Sequence, residues 1–190
     1  MALTEDDFKD AANRIGCEVE VIKAVAAVES RGTGFDPEGF PVVLFEGHIF
    51  FRLTKGKHEE LFPHLCYKQW TRKHYGKTWR EEKQRLFVAI DLDKEAALKS
   101  ASWGMFQILG LNYTQAGHRT IHEFYDAMCR SEVEHLKACV SFIITNRLHI
   151  FLQDQNWQRF ARGYNGALYA ENKYDIKLKK AYQRIVKEKG

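Results

Sequence analysis

Proline is scarce in this chain, with three in 190 residues, and no Pro-, Gly- or Ser-rich stretch marks a linker. No internal repeat is visible either. The expectation is therefore one domain over residues 1–190, long enough to bury its own core. Long apolar runs are also missing, and none approaches the roughly 18–20 residues that a membrane-spanning helix needs. The opening Met-Ala-Leu-Thr-Glu-Asp-Asp is acidic where a signal peptide has an apolar core. These absences predict a product made in a cytoplasm and held there until something else releases it. The four cysteines (Cys17, Cys66, Cys129 and Cys139) include no C-x-x-C pair, which argues against a zinc ribbon and leaves free, mostly buried thiols. His118 and His122 have the spacing of a helical metal pair, but no third ligand is patterned with them. No metal and no cofactor is expected.

What is present is globular: 45% hydrophobic and 28% charged. The net charge of +4 suits an anionic polymer as partner, nucleic acid or cell wall. Nucleic acid is disfavoured, because no helix clusters Arg, Lys, Gln and Asn as a recognition helix does.

The stretch Ile22-Lys-Ala-Val-Ala-Ala-Val-Glu29 carries the clearest chemistry. Ile22, Val25, Ala26 and Glu29 share one helical face. Gly32 and Gly34 follow and stop the helix, so Glu29 falls in the last turn, at the negative end of the dipole. The dipole and the apolar neighbours both disfavour the carboxylate and raise its pKa. An acid kept protonated near neutral pH is what protonation of a glycosidic oxygen requires.

The remaining elements read in order. Thr4 with Asp7 starts a first helix whose stripe is Phe8, Ala11, Ala12 and Ile15, and Gly16 ends it. A second helix covers about 18–29, and residues 42–45 read as a short strand. Glu46-Gly-His48 follows the strand directly. Residues 55–82 interleave basic and aromatic side chains, and residues 79–90 and 93–99 are helical. Residues 100–108 read as another helix start, capped by Ser100 or Ser102, with Gly104 marking a close approach and the Gln107 amide needing a partner. Thr120–Glu123 and Ser131–Glu134 are capping boxes. The second starts the longest helix, through Leu148. Asp154 caps 156–162, and Gly163–Gly166 ends that helix with turn chemistry. A basic amphipathic helix over 174–189 turns Ile176, Ala181, Tyr182 and Ile185 inward. Its lysines form a solvated face or touch anionic lipid or wall polymer.

Four phrases stand in chain order: Ala27-Val-Glu-Ser-Arg-Gly32, Val43-Leu-Phe-Glu-Gly-His48, Ala101-Ser-Trp-Gly104 through Gln107-Ile-Leu-Gly110, and Arg162-Gly-Tyr-Asn-Gly166. Together they resemble the N-acetylmuramidase family of bacteriophage endolysins. More distantly they resemble goose-type lysozymes and lytic transglycosylases, which have Gly-Leu-Met-Gln and Tyr-Asn-Ala-Gly where this chain has Gly-Met-Phe-Gln and Tyr-Asn-Gly. The resemblance implies a mainly α (α+β), lysozyme-like fold: a helical bundle with a small β-hairpin or sheet beside a catalytic cleft. It implies cleavage of peptidoglycan glycan strands between N-acetylmuramic acid and N-acetylglucosamine, acting in the periplasm after release from the host cytoplasm, for lysis.

Under that resemblance Glu29 matches the catalytic acid, and Gln107 and Tyr164 match positions lining the cleft. Ser102, Asn165 and His48 complete the substrate-binding candidates. Glu46 is the first choice for a second carboxylate because it ends the strand expected to wall the cleft. Asp36, Asp91 and Asp93 rank below it, and the substrate's own acetamido group can replace all of them. A lytic transglycosylase uses the same acid without water, and a non-catalytic wall-binding module would use residues 55–82 as its face. No separate wall-binding module is visible, and a monomer is expected.

Overall fold

Thr4 opens the first helix, α1 (Glu5–Ile15), with a closed capping box: its hydroxyl accepts the Asp7 amide at 3.3 Å and its own amide donates to the Asp7 carboxylate at 2.8 Å. Gly16 closes α1 with φ 78°. The computed structural model describes residues 2–30, 32–166 and 169–189. Next comes α2 (Val19–Glu29), which buries Val21, Ile22, Ala24, Val25 and Ala26. Small alanines let other helices approach it closely. The last helix, α10 (Tyr174–Lys189), lies along α2 with Leu178 fully buried. Tyr182 Oη donates to Glu18 at 2.7 Å, and Lys189 pairs with Glu20 at 2.6 Å. Leu178, not Ile176, is the inward residue; Ile176 stays exposed because the face toward α2 is rotated from the expected stripe.

Three short strands, β1 (Val43–Phe45), β2 (Ala101–Trp103) and β3 (Ile108–Leu109), pair antiparallel in that spatial order. Alternation buries Val43, Phe45, Ala101, Trp103 and Ile108 and leaves Leu44, Ser102 and Leu109 half-exposed on the opposite face. Residues 100–108 are therefore a hairpin and not the start of a helix. The connection needs φ 68° at Gly104 and 49° at Gln107, which no helix accommodates. Ser100 instead closes α5 (Lys94–Lys99), which Asp93 caps. A Cβ on Gly104 would come within 2.7 Å of the buried His135 ring. Gly104→Ala is expected to cost about 2–4 kcal/mol in urea unfolding, from backbone strain plus overpacking. A cost below about 1 kcal/mol would mean the turn relaxes freely.

Strand β1 is a sheet edge, and α4 (Trp79–Leu92) covers it. Glu82 of α4 accepts the Phe45 amide at 3.0 Å, and Arg85 donates to the Phe45 carbonyl at 3.2 Å. Glu82 also pairs with Arg85 at 2.8 Å and accepts the Gly76 amide. These bonds satisfy backbone groups that an edge otherwise leaves open. A helix absent from the sequence reading, α3 (Gly47–Thr54), begins directly after Glu46.

Thr120 caps α6 (Ile121–Arg130), and Ser131 caps α7 (Glu132–Thr145). Helix α7 stops before Leu148 because Arg147 takes φ 57°. At 14 residues it is shorter than α10, with 16, so it is not the longest helix. Asp154 ends α8 (His149–Gln153) and is therefore not the cap of α9 (Trp157–Asn165), a role taken by Asn156. The core between these layers is dominated by Trp103, Phe45, Phe50, Phe124 and Phe160. All four cysteines are free. Among the described residues no helix is long and apolar enough to cross a membrane.

Candidate active site

Glu29 is the final residue of α2; Ser30 after it is already extended, with ψ 144°. Its carboxylate stands at the helix end where backbone carbonyls point, beside the small apolar face of α2. Among the described residues one hydrogen-bond partner reaches it: Asn165 Nδ2, at the end of α9, donates to Oε1 at 3.0 Å. Burial raises its pKa from 4.5 to about 7, while the Asn165 hydrogen bond and the Lys177 charge pull the other way without cancelling the rise. Near neutral pH a large share of the protein thus carries a proton on Glu29. Removing the Asn165 donor is expected to raise that pKa further. In an Asn165→Ala variant the alkaline limb of the pH–rate profile should move to higher pH, and a limb that stays in place would detach Asn165 from the acid.

Tyr164 precedes Asn165 and is fixed by rings. It stacks on Phe160 at 5.4 Å and meets Phe142 edge-on at 5.8 Å. Its hydroxyl donates to the Phe106 carbonyl at 3.3 Å and lies 3.4 Å from Cys139 Sγ. Burial, with Cys139 and Glu29 nearby, pushes its pKa well above 10. Tyr164 therefore ties the β2–β3 turn to α9 next to Glu29. Gln107 spends its amide on backbone, donating to the Val42 carbonyl at 3.2 Å and to Gly104 at 2.9 Å. Ser102 sits at the centre of the open sheet face, opposite Leu44 and Leu109.

Glu46 and His48 form a second group. Tyr75 Oη lies 2.8 and 2.9 Å from the two Glu46 oxygens, and His48 Nδ1 lies 3.3 Å from Oε2 without hydrogen-bond alignment. Burial and the Glu46 carboxylate raise the Tyr75 pKa. Among the described residues Glu46 and Glu29 share no hydrogen-bond partner.

Two residues of α7 that the sequence reading missed brace the site. Glu132 accepts the Gly34 amide at 2.7 Å and so pins the loop that follows α2. His135 accepts the Met105 amide on Nδ1 at 3.1 Å, which leaves Nε2 protonated and donating to the Met128 carbonyl at 2.7 Å. Burial lowers its pKa and keeps this neutral tautomer. Phe35 stacks on its ring at 5.0 Å. The available signal was a buried polar pair, Glu132 and His135, interrupting the apolar face of α7.

The description N-acetylmuramidase matches residues 18–186. The chain belongs to the N-acetylmuramidase family. It is a glycoside hydrolase with the lysozyme-like arrangement of a helical body and a three-stranded sheet. Among solved structures this muramidase is similar to the crystal structure of the Burkholderia AP3 phage endolysin. The two share 37% identity over 99% of this chain and 72% of that one, with a TM-score of 0.90. No curated protein matches it. The family assignment makes peptidoglycan the substrate of this muramidase and gives the acid at the end of α2 a chemical context.

Proposed function

We propose that this muramidase is an endolysin that hydrolyses the β-1,4 bond between N-acetylmuramic acid and N-acetylglucosamine, with Glu29 as general acid, in host-cell lysis. The observation that carries this reading is the Glu29 carboxyl: part-buried, oriented by Asn165, and raised to about 7. Protonated Glu29 donates to the leaving oxygen as positive charge builds on the sugar. Asn165 orients the acid. Gln107 and Tyr164 shape the wall beside it, and Ser102 and His48 meet the glycan.

Glu46 is the proposed second carboxylate, held by Tyr75. The substrate's acetamido group is the alternative, and the two separate by mutation: Glu46→Gln abolishes turnover only in the first. The exposed lysines of α10 supply contact with anionic lipid or wall polymer. The protein acts as a monomer on the wall after release from the cytoplasm.

Mass spectrometry of purified peptidoglycan digested by the wild type and by Glu29→Gln tests the reaction. Reducing-end muramic acid fragments that vanish with the variant support it. Fragments lighter by one water would make the enzyme a transglycosylase. No fragments from the wild type would leave a wall-binding module.

A further inference from the structure

A cleft of about 550 Å³ runs along the outer edge of β1, away from the hydrogen bonds of Glu29. Its volume lies in the range of small-ligand sites, about 300–1,000 Å³. Trp70, half-exposed at 51%, and Trp79 supply aromatic surface, and Arg72 and Lys77 supply cations. The Arg72 guanidinium lies 5.6 Å from the centroid of the Trp70 ring, which holds the charge against the indole.

The acids of this cleft are already committed. Glu46 accepts the Tyr75 hydroxyl, and Glu82 serves Arg85 and the Phe45 and Gly76 amides. The neighbouring cations are committed as well: Arg80 pairs with Glu38, Lys83 with Asp36 and Glu38, and Arg85 with Glu82. Among the described residues, Arg72 and Lys77 pair with no carboxylate. The cleft therefore presents two unneutralised cations beside an aromatic surface, a combination that selects an anionic, partly apolar ligand.

Val42 joins this cleft to the Glu29 side. It lines the cleft, and its carbonyl accepts both the Gln107 amide and the Gly104 amide of the β2–β3 turn. The same turn is fixed to Tyr164 through Phe106. A glycan lying across the turn would carry its substituents toward β1.

Resting on the muramidase reading, we infer that this cleft binds the peptide stem of the substrate through its carboxylates. In a stem-bearing strand the lactyl carboxyl of muramic acid is consumed as an amide, so free carboxylates belong to the peptide and not to the sugars. The alanine methyls of a stem suit the Trp70 surface.

The test is calorimetric titration of the 190-residue Glu29→Gln protein, chosen to suppress turnover, with two probes. One is N-acetylglucosaminyl-N-acetylmuramoyl-tripeptide; the other is the same disaccharide with its lactyl carboxyl capped as the methylamide, so that the probes differ only in the peptide and its carboxylates. The peptide-bearing probe should bind at least about tenfold tighter, the scale of a charge-assisted hydrogen bond. Adding Arg72→Ala and Lys77→Ala should remove about that advantage. Lys9→Ala with Lys94→Ala, an equal change of charge on α1 and α5, should retain it. Equal affinity for both probes, or an advantage that survives the double change, overturns the stem site. Strand cleavage by the wild type together with equal probe affinities sinks only the stem site. Peptide-dependent binding without any strand cleavage sinks the muramidase reading and keeps the stem site.

Discussion

Glu29→Gln is expected to lose a factor of about 10²–10⁴ in turnover, the usual contribution of a general acid, and to be the more stable protein at alkaline pH. The second half follows from the same burial that gives the first. A carboxyl raised from 4.5 to about 7 holds, in the folded state, a proton that the unfolded chain releases. Its folding stability is full below about pH 4.5, declines as pH rises through about 7, and stays reduced above that. At about 1.4 kcal/mol per pH unit the penalty is on the order of 3 kcal/mol. Glutamine has no proton to lose, and its amide oxygen can still accept from Asn165. Urea unfolding at pH 4.5 and pH 8.5 should give similar stabilities at the lower pH and a more stable variant at the higher. Identical pH dependence in both proteins would mean that Glu29 is not desolvated. The wild-type rate should fall as pH rises through about 7, since the acid must be protonated to donate.

The second large effect concerns Glu82, on the helix that covers β1. Glu82→Ala leaves Arg85, whose side chain is only 10% exposed, without its counter-charge. It also strips acceptors from the Phe45 and Gly76 amides. Breaking one side of a buried pair costs about 3–5 kcal/mol. Glu82→Gln retains an acceptor but not the charge and should fall between wild type and alanine. Denaturant titration measures both, and a loss under about 1 kcal/mol for alanine would mean that Arg85 swings to solvent. Because Glu82 holds the edge of β1, the same change should also disturb the cleft along that strand.

Some of this was readable along the chain and some was not, for definite reasons. The helix ending in Glu29 was legible because apolar spacing, small residues and following glycines all agree. The caps at Thr4, Thr120 and Ser131 were legible because capping is local chemistry between residues three apart. The β2–β3 hairpin was misread because Ser100 and Ser102 before an apolar run imitate a helix start. Strands of three and two residues are too short to display their alternation. Only the backbone reversals at Gly104 and Gln107 distinguish them, and Gln107 carries no mark of positive φ in its identity.

In the site, the proximity of Asn165 to Glu29 joins residues 136 positions apart. The family phrases placed both at the site, but the hydrogen bond between them required the fold. The pairings of Glu82, Glu132 and His135 were hidden for another reason. Their polarity shows in the sequence, but each braces backbone amides or carbonyls, which every residue possesses, so no pattern names those partners.

The seating of α10 against α2 has a consequence in time. Lys189 reaches back 169 positions to Glu20, and Leu178 and Tyr182 close the same face. Synthesis proceeds from the N-terminus, so a nascent chain makes the acid-bearing helix early and has nothing to cover its back until residues 174–189 emerge. Through most of translation α2 keeps an uncovered flank, and the field of Lys177 is absent from Glu29. The acid-bearing helix thus reaches its packed state only after residues 174–189 have emerged, long after its own synthesis.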